Sequence, residues 1–537
     1  MTARPDLSPP EVSLPAHRNA RPPRTAVAHS IALIGMDGQE VEVEAMIAAG
    51  LPRTILVGLP DAAVYEARDR CKAAVAASGL SWPPTALTIN LTPASLPKAG
   101  SHHDLAIAAA VLAASGTVPE AAVRSVVMLG ELGLDGRVRR VRGLLPAVLA
   151  ARSLGHRTVV VPVGQGAEAR LVEGIAVKTA ASLTELVALL RGEATPPTPV
   201  EETSPEEPAE GREEPDFADV VGQGQARWAA EIAAAGRHHL MLTGPPGIGK
   251  TLIASRIPGI LPELDLSGAL QIAAVSSLLA QPVHGLDRRP PFAAPHHSCS
   301  VAAMVGGGAR LARPGAVSRA HGGLLFLDEA AEFRPNVLDA LRTPLESGEV
   351  VLSRSHGDAR YPARFQLVLA TNPCPCGNAG VVGRECRCSP TVVRRYRGRI
   401  SGPLRDRIDI TVRMTPPPSA YLALGAQLPT PESSAVIAVR VAEARDRQSR
   451  RLARTRWATN GEVPGSYLRS HLPLPEATHL LDEATMRGLL SSRGVERTLR
   501  IAWTVADLAG HDLPDADDLR MALALRRGET YALPGGR

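Results

Sequence analysis

Apolar and polar positions in the first third of the chain alternate between two periods. Short aliphatic and β-branched runs, TILVGL (54–59), TALTINL (85–91), VVMLGEL (126–132) and RTVVVP (157–162), predict strands. Between them AAVYEARDRCKAAVAASG (62–79), HDLAIAAAVLAASG (103–116) and GLLPAVLAARSLG (143–155) predict helices. Such alternation predicts an α/β domain. A second series opens at HLMLTGPPGIGKTLIASRI (239–257), which reads as strand, Gly-rich loop and helix, and GGLLFLDEA (322–330) and RFQLVLATNP (364–373) predict two more buried strands. From about residue 430 the period is helical, through SSAVIAVRVAEARDRQSRRLA (433–453), ATMRGLLSS (484–492), ERTLRIAWTVADLAG (496–510) and DADDLRMALALR (515–526). An α/β core followed by a helical domain is the expectation.

Pattern breaks divide the chain. GEATPPTPVEETSPEEPAEGREEPD (192–216) is Pro, Glu and Thr with almost no hydrophobes, so it is expected to be a flexible acidic linker. Residues 1–24, rich in Pro and Arg with no apolar signal core, are expected to be a disordered leader. That leaves an α/β domain at 25–191, an ATPase core at 217–425 and a helical domain at 426–537. The 537 residues, 45% hydrophobic, suffice for about three domains, each with its own core. No uncharged apolar run approaches about eighteen residues, so a membrane span is not expected and the cytoplasm is. A net charge of +5 suggests only mildly a polyanionic partner. Of 59 basic residues only Lys72, Lys98, Lys178 and Lys250 are lysines, which leaves few candidates where chemistry needs one.

Gly244, Pro245, Pro246, Gly247, Ile248, Gly249, Lys250 and Thr251 fit G-x-x-x-x-G-K-[ST]. Backbone N–H groups of such a loop curl around phosphates, Lys250 reaches the β and γ oxygens, and the Thr251 hydroxyl ligates Mg²⁺. The strand Leu324–Leu327 ends in Asp328 and Glu329, one acid to hold Mg²⁺ and its neighbour to polarise the attacking water. A third strand ends in Asn372, placed to orient that water, and GRISGPLRDRIDI (398–410) supplies Arg399, Arg405 and Arg407.

These elements, in this order, resemble the AAA+ ATPases. The resemblance implies that Asn372 is sensor 1 and that Arg407 is an arginine finger completing the nucleotide site of the next subunit in a ring. GVERTLR (494–500) resembles the family's G-x-x-R-x-L second sensor, which points to Arg497, with Arg493 as the alternate.

Longer stretches narrow the resemblance. PFAAPHHSCSVAAMVGGG (291–308), RPGAVSRAHGGLLFLDEAAEF (313–333), LRTPLESGEVVLSR (341–354), TNPCPCG and RRYRGRISGPLRDRIDI (394–410) look like the magnesium-chelatase-like branch, and specifically the ComM/YifB family. VGLPDAAVYEARDR (57–70) and NLTPASLPKAGSHHDLAIAAAVLAASG (90–116) match the same family. That resemblance implies an ATP- and Mg²⁺-dependent homohexameric helicase on single-stranded or branched DNA, promoting branch migration when incoming DNA recombines during natural transformation. It also implies that the strand–turn–strand before sensor 1 points into the ring pore, making Arg354 and His356 candidate DNA contacts. RRYRGR (394–399) and RDRQSRRLARTR (445–456) are arginine runs that can neutralise phosphates or serve as solvated faces. Adjacent His296 and His297, if extended, point opposite ways and do not share an ion, so a pore or nucleotide-coupled loop is the favoured role. Two other functions stay open: a chelatase-type remodeller for metal insertion, for which this chain lacks the acidic partner domain, and a Lon-like protease or its regulator.

The N-terminal stretches resemble the Lon-protease-type α/β domain, whose nucleophile is a Ser activated by a Lys. Matching K-x-G-x-S onto KAGSHHD puts His102 at the nucleophile's place, with Ser101 one position off, and Leu145 at the lysine's. The domain is therefore expected to be non-catalytic. Finally, Cys374, Cys376, Cys386 and Cys388 form two C-x-C pairs within a turn-rich loop, 374–388. Four thiolates suit tetrahedral Zn²⁺, with free or redox-active thiols or a lost site as alternatives. The isolated Cys71 and Cys299 are expected to be buried small side chains.

Overall fold

The computed structural model of the chain describes residues 24–58, 62–96, 102–194, 215–308, 312–354, 357–381, 383–415, 431–475 and 477–533. Its N-terminal sheet starts earlier than the pattern reading predicts. β1 (Arg24–Ile34) and β2 (Asp37–Ala48) form a long antiparallel hairpin, in register from Arg24 opposite Ile47 to Ile34 opposite Asp37. Its second strand buries Val41, Val43 and Ala45 and turns Glu42, Glu44 and Met46 outward, the alternation of a half-buried strand. β3 (Arg53–Val57), α1 (Ala62–Ala77), β4 (Ala86–Thr92), α2 (Asp104–Ala114), β5 (Val127–Met128), α3 (Leu144–Ser153) and β6 (Thr158–Pro162) fall where alternation places them, and β7 (Ala176–Ala180) follows. The sheet is mixed and seven-stranded, in the order β3-β4-β2-β1-β5-β6-β7. Helix α2 is apolar on all sides and buried from Asp104 through Leu112, so it forms the centre of this core.

The margins of the expected disordered segments are folded. Residues 1–23 lie outside the described residues, but Arg24, assigned to the leader, is the first residue of β1. Of the expected linker 192–216, residues 195–214 lie outside the described residues. Gly192 ends the helix Leu183–Arg191 at φ +74°, and the Asp216 carboxylate caps the next turn and accepts the Ser434 N–H at 3.0 Å.

Beyond it come α4 (Gly224–Gly236), β8 (Leu240–Thr243), α5 (Lys250–Ala254), α6 (Leu266–Leu278), β9 (Phe292–Ala293) and β10 (Leu324–Leu327). Then follow the hairpin β11 (Glu349–Arg354) and β12 (Gly357–Pro362), then β13 (Gln366–Thr371), α7 (Pro390–Gly398), α8 (Gly402–Arg405) and β14 (Ile410–Arg413). The sheet β9-β10-β13-β8-β14 is parallel throughout and buried on both faces, hence its continuous apolar runs. Leu240, Leu242, Val368, Ala370, Ile410 and Val412 face α4 and the C-terminal helices α9 (Ser434–Leu452), α10 (Ser492–Ala509) and α11 (Ala516–Arg527). Leu325, Leu327, Leu367 and Leu369 face the other way, toward Ile400, Leu404 and Ile408.

The N-terminal sheet is joined to this core at two places. Ala273 and Ala274 of α6 enter the apolar cluster around α3. There the Leu145 N–H donates to Ser277 Oγ (3.2 Å), which donates to Glu168 (2.5 Å), a buried polar node. At the β1–β2 turn, Gly35 (φ +66°) lies against β12, where an added Cβ would come 2.7 Å from the Arg360 backbone N. The Met36 N–H donates to the Arg360 carbonyl at 3.3 Å.

Candidate ATP site and cysteine-rich loop

Strand β8 runs directly into the loop Gly244–Gly249, and α5 begins at Lys250. Gly247 (φ +78°) and Gly249 (φ +95°) take left-handed conformations that a side chain would oppose, which lets the loop curl. The Lys250 ammonium, 7% exposed, donates to the carbonyls of Gly244 (2.8 Å) and Pro245 (2.9 Å) and to Asn372 Oδ1 (3.0 Å). Burial holds it below the usual lysine range, with Asp328 and Glu329 opposing that shift. The Thr251 hydroxyl donates to Asp328 Oδ2 at 2.7 Å. Two hard oxygens so placed at the edge of the loop fit the donor set of Mg²⁺. Glu329 is exposed, at φ +50°, with its N–H donated to Asp328 Oδ1 at 2.9 Å. A non-glycine residue in that conformation is uncommon, and such strain clusters at functional sites.

The histidine pair lies differently from the extended segment predicted for it. Residues 297–298 turn, with the Cys299 N–H donated to the His296 carbonyl at 3.0 Å, so the two rings lie 4.0 Å apart on one side. His297 Nδ1 is 3.7 Å from Glu329 Oε2. Sequence reasoning gave no sign of this neighbour.

The arginines part company. Arg407 donates to the Pro403 carbonyl (2.7 Å) and pairs with Glu346, its side chain 11% exposed. Arg399 pairs with Glu332 at 2.8 Å. Arg497 pairs with the buried Asp409 and donates to the Arg407 carbonyl. Asp409 also accepts the His239 N–H at 2.9 Å. Burial would raise the Asp409 carboxyl, but Arg497, the neighbouring histidines and Arg500 hold it well below the carboxylate range. Asp409 precedes β14 and His239 precedes β8, so Arg497 sits at the sheet end opposite the glycine loop, about 13 Å away at about 3.3 Å per residue. In this structure an ion pair with a buried carboxylate thus holds Arg497 away from the glycine loop of its own chain. Arg493, in the first turn of α10, is exposed. Arg354 is exposed at the end of β11, and His356 lies outside the described residues.

The four cysteine sulfurs converge. Cys374 Sγ lies 3.3 Å from Cys376 Sγ and 3.7 Å from Cys386 Sγ, and all four sulfurs, Cys388 included, fall within 4.8 Å of one another. A tetrahedron with Zn–S bonds of about 2.3 Å has edges of about 3.8 Å, so the set fits zinc. The Asn378 N–H and then the Cys374 thiol draw the Cys376 thiol down to about 6, which favours a thiolate. The loop also touches the nucleotide loop: Gly377 (φ +79°) packs on Pro246, where an added Cβ would come 2.4 Å from Pro246 Cδ. No spacing signalled that contact.

The places matched to the Lon-type dyad are held by His102 and Leu145. Ser101 and Lys98 lie outside the described residues. His102 is half-buried and pushed down to about 4 by desolvation, His103 Nδ1 lies 2.9 Å from the Ser30 hydroxyl, and Asp104 is bound by Arg70 at 2.9 Å. Leu145 is buried.

Comparison with known proteins places this geometry. Residues 216–421 match the family "Magnesium chelatase, subunit ChlI", residues 43–165 match "Subunit ChlI of Mg-chelatase", and residues 431–526 match "Magnesium chelatase, subunit ChlI C-terminal". An uncharacterized protein of Mycobacterium tuberculosis is 52% identical over 93% of this chain and 98% of its own. YifB of Escherichia coli is 40% identical over 93% and 97%. The competence protein ComM of Haemophilus influenzae is 37% identical over 93% and 97%.

Proposed function

The chain belongs to the ComM/YifB family of magnesium-chelatase-like AAA+ proteins, and on that premise we propose that it is an ATP-driven motor on single-stranded or branched DNA. Its work is branch migration in recombination of incoming DNA during natural transformation, and its working form is a homohexameric ring. The observation that carries the ATPase half is the pair of contacts joining Lys250 to Asn372 and Thr251 to Asp328.

In this reading Lys250 exchanges the Gly244 and Pro245 carbonyls for β and γ oxygens of ATP. Thr251 and Asp328 hold Mg²⁺, which when bound neutralises phosphate charge. Glu329 polarises the attacking water, and Asn372 orients it while fixing Lys250. Arg407 leaves Glu346 to reach the nucleotide of the neighbouring subunit, which makes the site complete only in a ring. The second-sensor role falls to Arg497, which then leaves Asp409, with Arg493 as the alternate. Among the described residues no helix is long and apolar enough to cross a membrane.

The test is ATP hydrolysis at low salt with and without forked DNA. Severalfold stimulation is expected, lost as salt rises because phosphate contacts are screened. Absence of both binding and stimulation contradicts the reading.

Zinc on Cys374, Cys376, Cys386 and Cys388 belongs to the same proposal, as a structural staple holding Gly377 against Pro246. Metal analysis of purified protein is expected to return about one zinc per chain. Cys374→Ser with Cys386→Ser is expected to abolish it, whereas a metal-free wild type contradicts the assignment.

A further inference from the structure

Two crevices, of about 860 and about 610 Å³, meet along α7 and α8 and share Arg397 and Arg405 as walls. The first is bounded by Gly244 and Pro245 of the nucleotide loop, by Asn372, and by Arg413 at the end of β14. The second adds Arg394 beside Cys388. No carboxylate lines either crevice. Among the described residues none of Arg394, Arg397, Arg405 and Arg413 makes an ion pair. Arg397 uses its Nε on the Pro373 carbonyl at 3.1 Å, and the buried Nε of Arg405 has no partner. Burial and then the charge of Arg397 hold Arg405 below its usual range, so the two guanidiniums repel each other.

Several other arginines of this half of the chain are engaged. Arg399 pairs with Glu332, Arg407 with Glu346, Arg440 with Glu231 and Glu432, and Arg451 with Asp507. The longer run 445–456 is largely occupied within the fold: Arg445 donates to the Ala234 carbonyl, Arg447 to the Asp507 carbonyl, and Arg450 pairs with Asp446. The groove beside the nucleotide loop is thus a concentration of unneutralised guanidinium. Arg394 and Arg397 are three residues apart on α7, about 4.5 Å along its axis, and Arg413 comes from a different element. One small anion does not span such a row; a chain of phosphates does.

We propose that this groove is the track for the phosphodiester backbone of a DNA strand, with Arg397 and Arg405 as its central contacts and Arg394 and Arg413 at its ends. The inference rests on the reading of the protein as a DNA motor and adds the site. A strand seated there touches the wall that carries Asn372 and the Gly244–Pro245 carbonyls, so it lies against the groups that hold Lys250. The cysteine-rich loop forms the rim.

The experiment uses the full chain without nucleotide and a fluorescein-labelled oligodeoxythymidylate, followed by anisotropy between about 50 and 200 mM salt. Arg397→Gln with Arg405→Gln is expected to weaken binding at least about tenfold and to make the log–log salt slope shallower by about 1.4, at about 0.7 per phosphate on a single strand. Arg413→Gln, at an exposed strand end and so harmless to folding, is expected to remove about 0.7. Arg450→Gln, already paired on the surface, serves as the control and leaves both unchanged. A double variant that melts like wild type yet keeps its affinity and slope overturns the track. So does a double variant that loses only product inhibition by inorganic phosphate, which would assign the groove to free phosphate. If the wild type itself does not bind the oligonucleotide, the DNA reading falls first.

Discussion

Glu329→Gln is expected to slow ATP hydrolysis by about 10²–10⁴-fold while nucleotide binding stays within about twofold. The substitution keeps side-chain size and the backbone N–H contact to Asp328 but removes the negative charge that polarises water. Glu329 is exposed and, among the described residues, its carboxylate makes no close hydrogen bond, with His297 at 3.7 Å as its neighbour, so the fold does not depend on that carboxylate. Lys250→Ala behaves differently. It removes the cation that bridges the loop carbonyls and Asn372, so both binding and hydrolysis are expected to fall. Equilibrium binding of a fluorescent ATP analogue, alongside phosphate release, separates the two. A Glu329→Gln protein that hydrolyses ATP at the wild-type rate would remove Glu329 from the chemistry.

Asp409→Ala is expected to cost about 3–5 kcal/mol of stability, because it leaves the half-buried Arg497 without its carboxylate and the His239 N–H without its acceptor. Denaturant unfolding of the segment containing β8 and β14 reads this directly. The pH dependence has a definite sign. The folded pKa of Asp409 is depressed, so its contribution is present above the unfolded value of about 3.9 and fades only as pH falls below it. The gap between wild type and variant should therefore be flat from about pH 8 to 5 and narrow below about 4. A gap that opens on the alkaline side would mean that the buried pair is not ionised.

The nucleotide site was legible because its signals are local: a loop of eight consecutive residues, two acids at one strand end and an amide at the next. Arg497 was not, because G-x-x-R-x-L specifies a helix turn but not which end of the sheet that turn faces. Asp409, 88 residues earlier in the sequence, sets its place through an ion pair. Counting charge does not separate the two arginine runs either. The run 445–456 holds more arginines, six against four at 394–399, yet the partners that neutralise a guanidinium are carbonyls and carboxylates brought by other elements. The second strand of the β1–β2 hairpin is readable in QEVEVEAM, whose strict alternation predicts a half-buried strand. The histidine pair shows the limit of local geometry: extended neighbours diverge, but a turn at 297–298 brings the rings together beside Glu329. The cysteine spacing suggested a metal, while the contact that gives the loop its place, Gly377 on Pro246, crosses more than a hundred residues.

The central claim is that hydrolysis at this site moves DNA strands. It is tested most directly by strand displacement on labelled forked and three-stranded DNA, comparing wild type with Lys250→Ala and Glu329→Gln. ATP-dependent displacement by the wild type, with neither variant above background, is the predicted result. A wild type that hydrolyses ATP but displaces no strand, on either substrate at low salt, would contradict it.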